Sequence, residues 1–310
     1  MRLILIILAA VLLTACTQRQ DPASYAPSPF EDIYNVHSAE LSPPLPLLNC
    51  IYYEHDRFLP AVTAPPKYTV NGVVLAGLVP HHLLASDMIA GFFAAVNNKN
   101  FDRVLIVAPS HFPENCRSDV VTALADWETP FGISLASREI IGLILGDELL
   151  QAENNPAAVE YDHGVAGLVP FVKYYLPDAE IAVCLLSNNL SVEKRTQAVQ
   201  LLGDAAEFGR TLLVASADFS HYLTPSLSEL RDAETATAIE AFDYERIRRF
   251  KDSNVDSPQT LETLLAYTER RGLSLSQLDH SSSNQKLPFG DSHPIYYEGV
   301  TTYFVYAALQ

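Results

Sequence analysis

Three histidines of the chain each follow an apolar stretch of sequence, and histidine is the commonest metal ligand in proteins. The pairs, in chain order, are residues 73–79 with His81, residues 103–108 with His111, and residues 211–216 with His221. In open α/β sheets ligands bind beyond the carboxyl ends of the strands, so imidazoles that follow three strands can converge on one point. Because neutral imidazole suits zinc, copper and iron, the pattern predicts one shared metal site.

Two more polar residues lie beside these histidines. Asp218 is three residues before His221, and it could be a further ligand or the acceptor that fixes the tautomer of an imidazole. His82 follows His81 directly. It would point to the other side if the backbone is extended there, so we expect it to face a substrate rather than the metal. The alternative interpretation is that each histidine is an ordinary polar residue of a loop.

A regular alternation of strands and helices has to position these side chains. Apolar runs predict strands at residues 73–79, 103–108, 120–124, 180–186, 211–216 and 300–306. The spacing of apolar residues predicts helices near 87–97, 137–150, 165–175, 191–208, 226–242, 244–251 and 258–271. This order predicts a single α/β domain with a largely parallel or mixed central sheet and helices on both faces. The charged residues of the last helix, Glu262 among them, are expected to form a solvated face.

Composition and charge limit the classes of protein to which the chain can belong. The 310 residues are 48% hydrophobic, which is enough for a sizeable packed core. The formal net charge is −17. A surface this acidic repels phosphate backbones, so we expect no nucleic-acid partner.

The first residues of the chain have the pattern of an export signal. Arg2 precedes an apolar run at residues 3–13, which is short beside the roughly 20 residues that a membrane crossing needs. The end of this segment, Leu13-Thr14-Ala15-Cys16, resembles the lipobox of bacterial lipoproteins. That resemblance implies cleavage before Cys16 and acylation of Cys16, with palmitate among the acyl chains. The alternative is an ordinary signal peptide that happens to contain a cysteine.

The lipobox resemblance also implies a domain plan and a location. Residues 1–15 would be the signal peptide, residues 16–46 a lipidated tether rich in proline and polar residues, and residues 47–310 the folded domain. Residue 17 is Thr rather than Asp, which by analogy with Gram-negative sorting implies the outer membrane. We therefore expect a protein of the cell envelope, anchored to the membrane by lipid.

Three cysteines remain after Cys16. Cys50, Cys116 and Cys184 are an odd number, so they can form at most one intramolecular disulfide in an oxidising compartment. Cys184 lies in an apolar run and is expected to be a buried small hydrophobic residue. A bridge between Cys50 and Cys116 stays open.

Five segments resemble motifs of the Memo family, whose bacterial members are called AmmeMemoRadiSam system protein B. They are Leu78-Val-Pro-His81-His, Ala108-Pro-Ser-His111-Phe, Asp126-Trp-Glu-Thr-Pro-Phe-Gly132, Tyr161-Asp-His-Gly-Val-Ala-Gly-Leu-Val-Pro-Phe171 and Ala215-Ser-Ala-Asp-Phe-Ser-His221-Tyr. The similarity extends from about residue 70 to the end of the chain. It implies a fold like that of the class III extradiol dioxygenases, which hold non-haem iron(II).

The resemblance also implies roles for individual residues. The ligand histidines of the family fall on His81, His111 and His221, and Asp218 matches the aspartate of the same motif. His163 matches the histidine of the family's Glu-His-Ser segment, where Asp162 replaces the glutamate.

Two positions depart from the family pattern. A second acid of the family is Ala166 here, which removes one polar group from the expected site. Some members add a cysteine ligand before the last long helix, and the alignment puts Asp256 at that position, with Asn254 and Ser257 as alternatives. A carboxylate there favours iron(II) or manganese over copper(I).

These residues predict one of three functions. The first is a metal-dependent oxidoreductase with a divalent transition metal, Fe(II) before Cu or Zn, and with His163 or His82 as the acid or base. The second is a non-catalytic lipoprotein that binds a small molecule, a peptide or a metal in the same cavity. The third is a zinc hydrolase.

Overall fold

The computed structural model describes residues 44–96, 101–287 and 299–310. Cys16, the expected signal peptide and nearly all of the expected tether lie outside the described residues. The strands, in chain order, are β1 Leu47–Asn49, β2 Val74–Val79, β3 Arg103–Pro109, β4 Val120–Thr122, β5 Asp126–Thr129, β6 Gly132–Ser134, β7 Glu153–Asn154, β8 Glu180–Leu186, β9 Thr211–Ser216, β10 Phe219–Leu223, β11 Ser274–Ser282 and β12 Val300–Leu309.

Helices connect these strands. The α-helices are α1 His55–Thr63, α2 Ser86–Val96, α3 Arg138–Gly146, α4 Pro156–Tyr161, α5 His163–Ala166, α6 Val169–Tyr175, α7 Val192–Ala206, α8 Pro225–Glu240, α9 Tyr244–Ile247, α10 Pro258–Arg270 and α11 Ser283–Lys286. Short 3₁₀ turns occur at Leu83–Ala85 and Pro113–Asn115. Among the described residues, no helix combines the length and apolar character that a membrane crossing requires.

A mixed sheet forms the centre of the α/β domain. Its strand order is β10-β12-β2-β9-β3-β8-β4-β7, and β11 pairs with β12 outside that path. Strands β2, β9, β3 and β8 are parallel neighbours, whereas β12 runs antiparallel to β2. A second, small sheet has the order β1-β5-β6. The predicted single α/β domain with a mixed sheet is confirmed.

The sheet is covered on both faces, and the strands show why. In β3 the side chains of Val104, Ile106 and Ala108 join one buried apolar cluster, while Leu105 and Val107 join the other. This alternation follows from the two-residue period of a strand. Residues of α2 and α6 pack in the first cluster, and residues of α3, α7 and α10 pack in the second. The central strands are therefore apolar over most of their length, and this local pattern is why the sequence predicts them.

Some predicted elements differ in their limits. The predicted helix at 165–175 is two helices, α5 and α6, and Pro170 lies in the first turn of α6. Proline is tolerated there because the amide it lacks would have had no partner within the helix. The last predicted strand continues to Leu309. Cys50, Cys116 and Cys184 are all free, and Cys184 is buried as expected.

Candidate metal centre

The predicted site residues follow neighbouring strands of the sheet. His81 lies two residues beyond β2, and His111 lies two residues beyond β3. Strand β9 pairs with both of these strands in parallel, and Asp218 lies two residues beyond its last residue, Ser216. The carboxyl ends of parallel neighbours lie at one edge of a sheet, so the three side chains reach the same cavity.

Three imidazoles meet at this edge. The metal-ligating atoms of His81, His111 and His163 all lie within 4.8 Å of one another. The centroids of the His111 and His163 rings are 3.8 Å apart, and His81 lies 4.9 Å from His111 and 5.3 Å from His163 by the same measure. The three histidines could therefore hold one transition metal ion. The sequence predicted His163 as an acid or base, and the structure brings its ring into the metal-ligating group.

A cavity of about 580 Å³ opens in front of these rings. Its wall is mostly polar, and it includes seven site residues predicted from the sequence together with three polar residues that follow β8. These are His81, His82, His111, His163, Asp218, His221, Asp256, Ser187, Asn188 and Asn189. Tyr222 also lines it. The cavity can accommodate a small ligand beside the imidazoles.

The tautomer of His81 follows from its partner. Ser216 Oγ donates its single proton to Gly164 O at 2.6 Å, so it can only accept from His81 Nδ1 at 3.0 Å. His81 therefore carries a proton on Nδ1, and Nε2 is the nitrogen that can bind a metal. Burial alone would lower the pKa of His81, but the carboxylates of Asp218 and Asp256 outweigh it and raise the pKa to about 9.

His111 is fixed in the same way by a carboxylate. His111 Nδ1 donates to Asp162 Oδ1 at 2.7 Å, and the His111 backbone amide donates to Asp162 Oδ2 at 2.8 Å. The Gly164 amide also donates to Asp162 Oδ1, at 2.9 Å. Asp162 is buried; burial opposes ionisation, but the hydrogen bonds from the His111 ring, the His111 amide and the Gly164 amide outweigh it and lower the pKa of the carboxyl group. A metal ligand is commonly oriented by such a carboxylate, which leaves Nε2 free for the metal.

His163 begins α5, directly after Asp162. Its ring stacks on His111 and meets the edge of Tyr52 at 5.9 Å between centroids. Burial lowers the pKa of His163 to about 3, and the nearby His111 and His81 act in the same direction. The imidazole is therefore neutral, which is the form that can bind a metal or accept a proton.

Two buried carboxylates complete this wall of the cavity. Asp256 Oδ2 lies 3.3 Å from His81 Nε2, and Asp218 Oδ2 lies 3.6 Å from the same nitrogen. Asp218 Oδ1 accepts from the His81 backbone amide, and Asp256 Oδ2 accepts from the Asp218 amide. Asp256 Oδ1 is buried and has no hydrogen-bond partner among the described residues. A buried carboxylate oxygen without a donor is costly, and a metal ion would satisfy it.

His221 lies outside the group of three imidazoles. It sits on β10, half-buried, with Nδ1 3.4 Å from Asp252 O. Its neighbours Ser220 and Tyr222 have φ angles of +40° and +56°, values that are uncommon for residues other than glycine. His221 lines the cavity, and its role as a ligand stays a prediction.

His82 follows His81 directly and lies in extended backbone. Its Nδ1 lies 2.6 Å from the hydroxyl of Tyr303, and the residue lines the cavity. Burial lowers the pKa of His82, so its neutral form predominates. Neither Tyr303 nor Ser216 was predicted as a site residue, because a lone buried Tyr or Ser in a strand gives no local signal of a histidine partner.

The comparisons with known proteins agree with the motifs. The sequence model described as Memo-like protein matches residues 54–287, which is more than half of the chain. The chain belongs to the Memo-like family. It is 24% identical over 241 residues to a MEMO1 family protein of Pyrobaculum aerophilum, a match that covers 75% of this chain and 84% of that protein.

Other similar proteins come from archaea and bacteria. A MEMO1 family protein of Caldivirga maquilingensis is 25% identical over 232 residues, which is 70% of this chain and 81% of that protein. A MEMO1 family protein of Thermotoga maritima is 27% identical over 173 residues, which is 54% of this chain and 61% of that protein. The crystal structure of an uncharacterized protein of Escherichia coli K12 aligns with a TM-score of 0.45 and 11% identity, and the alignment covers 74% of this chain and 98% of that one.

Proposed function

We propose that this Memo-like chain is a metal-dependent oxidoreductase of the non-haem type that acts on a small oxygen-bearing molecule. The observation that supports it best is the group of three imidazoles, two of which have Nε2 freed by fixed acceptors on Nδ1. His81, His111 and His163 would hold the metal, with Asp256 as the nearest carboxylate. When bound, such an ion supplies Lewis acidity and redox chemistry at its open coordination positions.

The donor set favours iron(II). Imidazole nitrogen together with carboxylate oxygen suits iron(II), whereas copper(I) prefers sulfur ligands. Both buried carboxylates lie on one side of His81, and no cysteine is among the residues that line the cavity in the described part of the chain. Copper and zinc are the alternatives.

The protein residues around the imidazoles would handle the substrate. Ser187, Asn188 and Asn189 offer hydrogen-bond donors and acceptors on one wall of the cavity, where they can orient oxygen atoms of a ligand. In a centre held by His81, His111 and Asp256 instead, neutral His163 would accept a proton from a substrate hydroxyl.

Metal content tests the site directly. The chain is purified without chelator or affinity metal and analysed by elemental mass spectrometry, beside His111→Ala and the matched control His55→Ala. His55 is exposed, and its Nδ1 contacts the Tyr53 hydroxyl. We expect the wild type and His55→Ala to retain a stoichiometric transition metal and His111→Ala to lose it. Equal metal in all three proteins would refute the assignment.

A non-catalytic binding protein is the second candidate. The observation that favours it is Ala166, fully buried where the family has a second acid, because a missing polar group weakens a catalytic set. Oxygen consumption by the iron-loaded chain with a panel of catechols separates the two candidates. Oxygen consumption that depends on His111 supports the oxidoreductase. A metal-loaded chain that consumes no oxygen supports the non-catalytic binding protein.

We also propose that Cys16 carries a lipid anchor and that the protein lies in the cell envelope, at the outer membrane of a Gram-negative bacterium. Support comes from the Leu13-Thr14-Ala15-Cys16 motif. Labelling with a palmitate analogue should mark the wild type and leave Cys16→Ser unmarked. Label on both proteins would contradict the anchor.

A further inference from the structure

The histidines of the cavity differ in which nitrogen carries the proton. His81 and His111 each donate from Nδ1 to an acceptor, Ser216 Oγ or an Asp162 oxygen. His82 Nδ1 instead faces a phenol, the hydroxyl of Tyr303. The two ring nitrogens of a neutral imidazole have opposite roles, so the partner of Nδ1 decides what Nε2 can do.

The Tyr303 hydroxyl acts as the donor in this pair. Tyr303 is fully buried in β12, and within residues 44–96, 101–287 and 299–310 the only hydrogen-bond partner of its hydroxyl is His82 Nδ1, at 2.6 Å. A buried O–H without an acceptor is costly, whereas a spare lone pair on the same oxygen costs little. A phenol is also a stronger donor than a neutral imidazole N–H, and an imidazole nitrogen is a stronger acceptor than a phenol oxygen.

We propose that Tyr303 holds His82 in the Nε2–H tautomer, so that His82 presents a hydrogen-bond donor to an oxygen atom of the ligand in the cavity. Once a metal has displaced the Nε2 proton of His81, His81 and His111 offer lone pairs to that metal, while their neighbour His82 offers a proton to the ligand. This assigns Tyr303 as a positioning residue, and it excludes the neutral His82 ring as a base or a metal ligand at Nε2.

The ligand class follows from this arrangement. A group that sits beside the three imidazoles and accepts a hydrogen bond from His82 must carry an acceptor atom, and the oxygen-bearing molecule of the proposed function supplies one as a phenolate, a carboxylate or a carbonyl. The identity of that ligand rests on the proposed function, whereas the tautomer of His82 does not. Two independent measurements therefore test the two parts.

The first measurement is the tautomer itself. Long-range ¹H–¹⁵N correlation spectra of the metal-free chain distinguish protonated from unprotonated ring nitrogens, and His82→Gln assigns the His82 signals by their loss. We expect His82 as a single Nε2–H tautomer in the wild type and a mixture of tautomers in Tyr303→Phe. The matched control is Tyr306→Phe, since Tyr306 is buried in the same strand on the opposite face and donates to Gln277. An Nδ1–H tautomer in the wild type would overturn the proposal.

The second measurement is ligand affinity. The iron-loaded chain is titrated with 4-nitrocatechol under argon, beside His82→Leu and His82→Gln. Loss of one hydrogen bond should weaken binding roughly three- to tenfold in His82→Leu, and His82→Gln should stay near the wild type because its amide can accept from Tyr303 and donate to the ligand. Equal affinity in His82→Leu would overturn the donor role. If the loaded wild type does not bind the probe, the proposed substrate class fails, and the spectra still decide the tautomer.

Discussion

Asp162, whose carboxylate accepts a hydrogen bond from His111 Nδ1, offers the most direct test of the metal centre. Asp162 accepts three hydrogen bonds, one from the His111 ring, one from the His111 amide and one from the Gly164 amide. Asp162→Asn keeps the shape of the side chain and replaces one acceptor oxygen by an NH₂ donor. Whichever way the amide turns, a donor then faces a donor.

The two orientations of the amide have different costs. With its oxygen at the Oδ1 position, the asparagine keeps two bonds and sets its NH₂ against the His111 amide. With its oxygen at the Oδ2 position, it sets NH₂ against His111 Nδ1 and Gly164 N and drives the imidazole towards the wrong tautomer. Each lost bond to a charged acceptor costs about 1.5–3 kcal/mol. Loss of such a partner behind a metal ligand costs about 10- to 100-fold in metal affinity.

Chelator competition measures the metal affinity, and urea unfolding of the metal-free chain measures the stability. The matched control is Asp126→Asn, since Asp126 accepts from the Ala136 amide at 2.8 Å and does not line the cavity. We expect the control to hold metal like the wild type and Asp162→Asn to bind it at least tenfold more weakly. A folded Asp162→Asn chain with wild-type affinity would refute the role of Asp162.

Three further predictions concern pH, charge and packing. Metal must displace the proton of His81 below its pKa of about 9, so affinity rises with pH up to that value and calorimetry in two buffers should detect proton release at pH 7. Glu262→Leu leaves Arg195 buried without its carboxylate partner, which should cost about 3–5 kcal/mol in urea unfolding, with unchanged metal content in the folded chain. Gly77→Ala would overlap the Phe92 ring and should lower stability by about 1–3 kcal/mol, measured by thermal unfolding. Metal binding at pH 7 without proton release would contradict the argument from the pKa of His81. Wild-type stability of Glu262→Leu or of Gly77→Ala would contradict the argument for that variant.

One interpretation from the sequence was wrong at a single residue. The charged residues of the last long helix were expected to form a solvated face, and Glu269, Arg270 and Arg271 are exposed, yet Glu262 is buried in α10. It lies between Arg195 of α7 and Arg248, which follows α9. The helical period shows which residues share a face, but a neighbouring helix decides whether that face meets water. Nothing near Glu262 in the sequence reveals arginines that come from other elements.

The sequence by itself determined the central strands and the ends at which the site forms. Buried parallel strands are apolar at nearly every position, which is a local signal, and His81 and His111 lie two residues beyond β2 and β3. Only the tertiary structure decided which imidazoles meet and which nitrogens they present. His81 and Ser216 are 135 residues apart, His111 and Asp162 are 51 apart, and His82 and Tyr303 are 221 apart. Hydrogen bonds over such separations depend on strand order and register, because proton positions follow from whichever side chain the fold brings within about 3 Å.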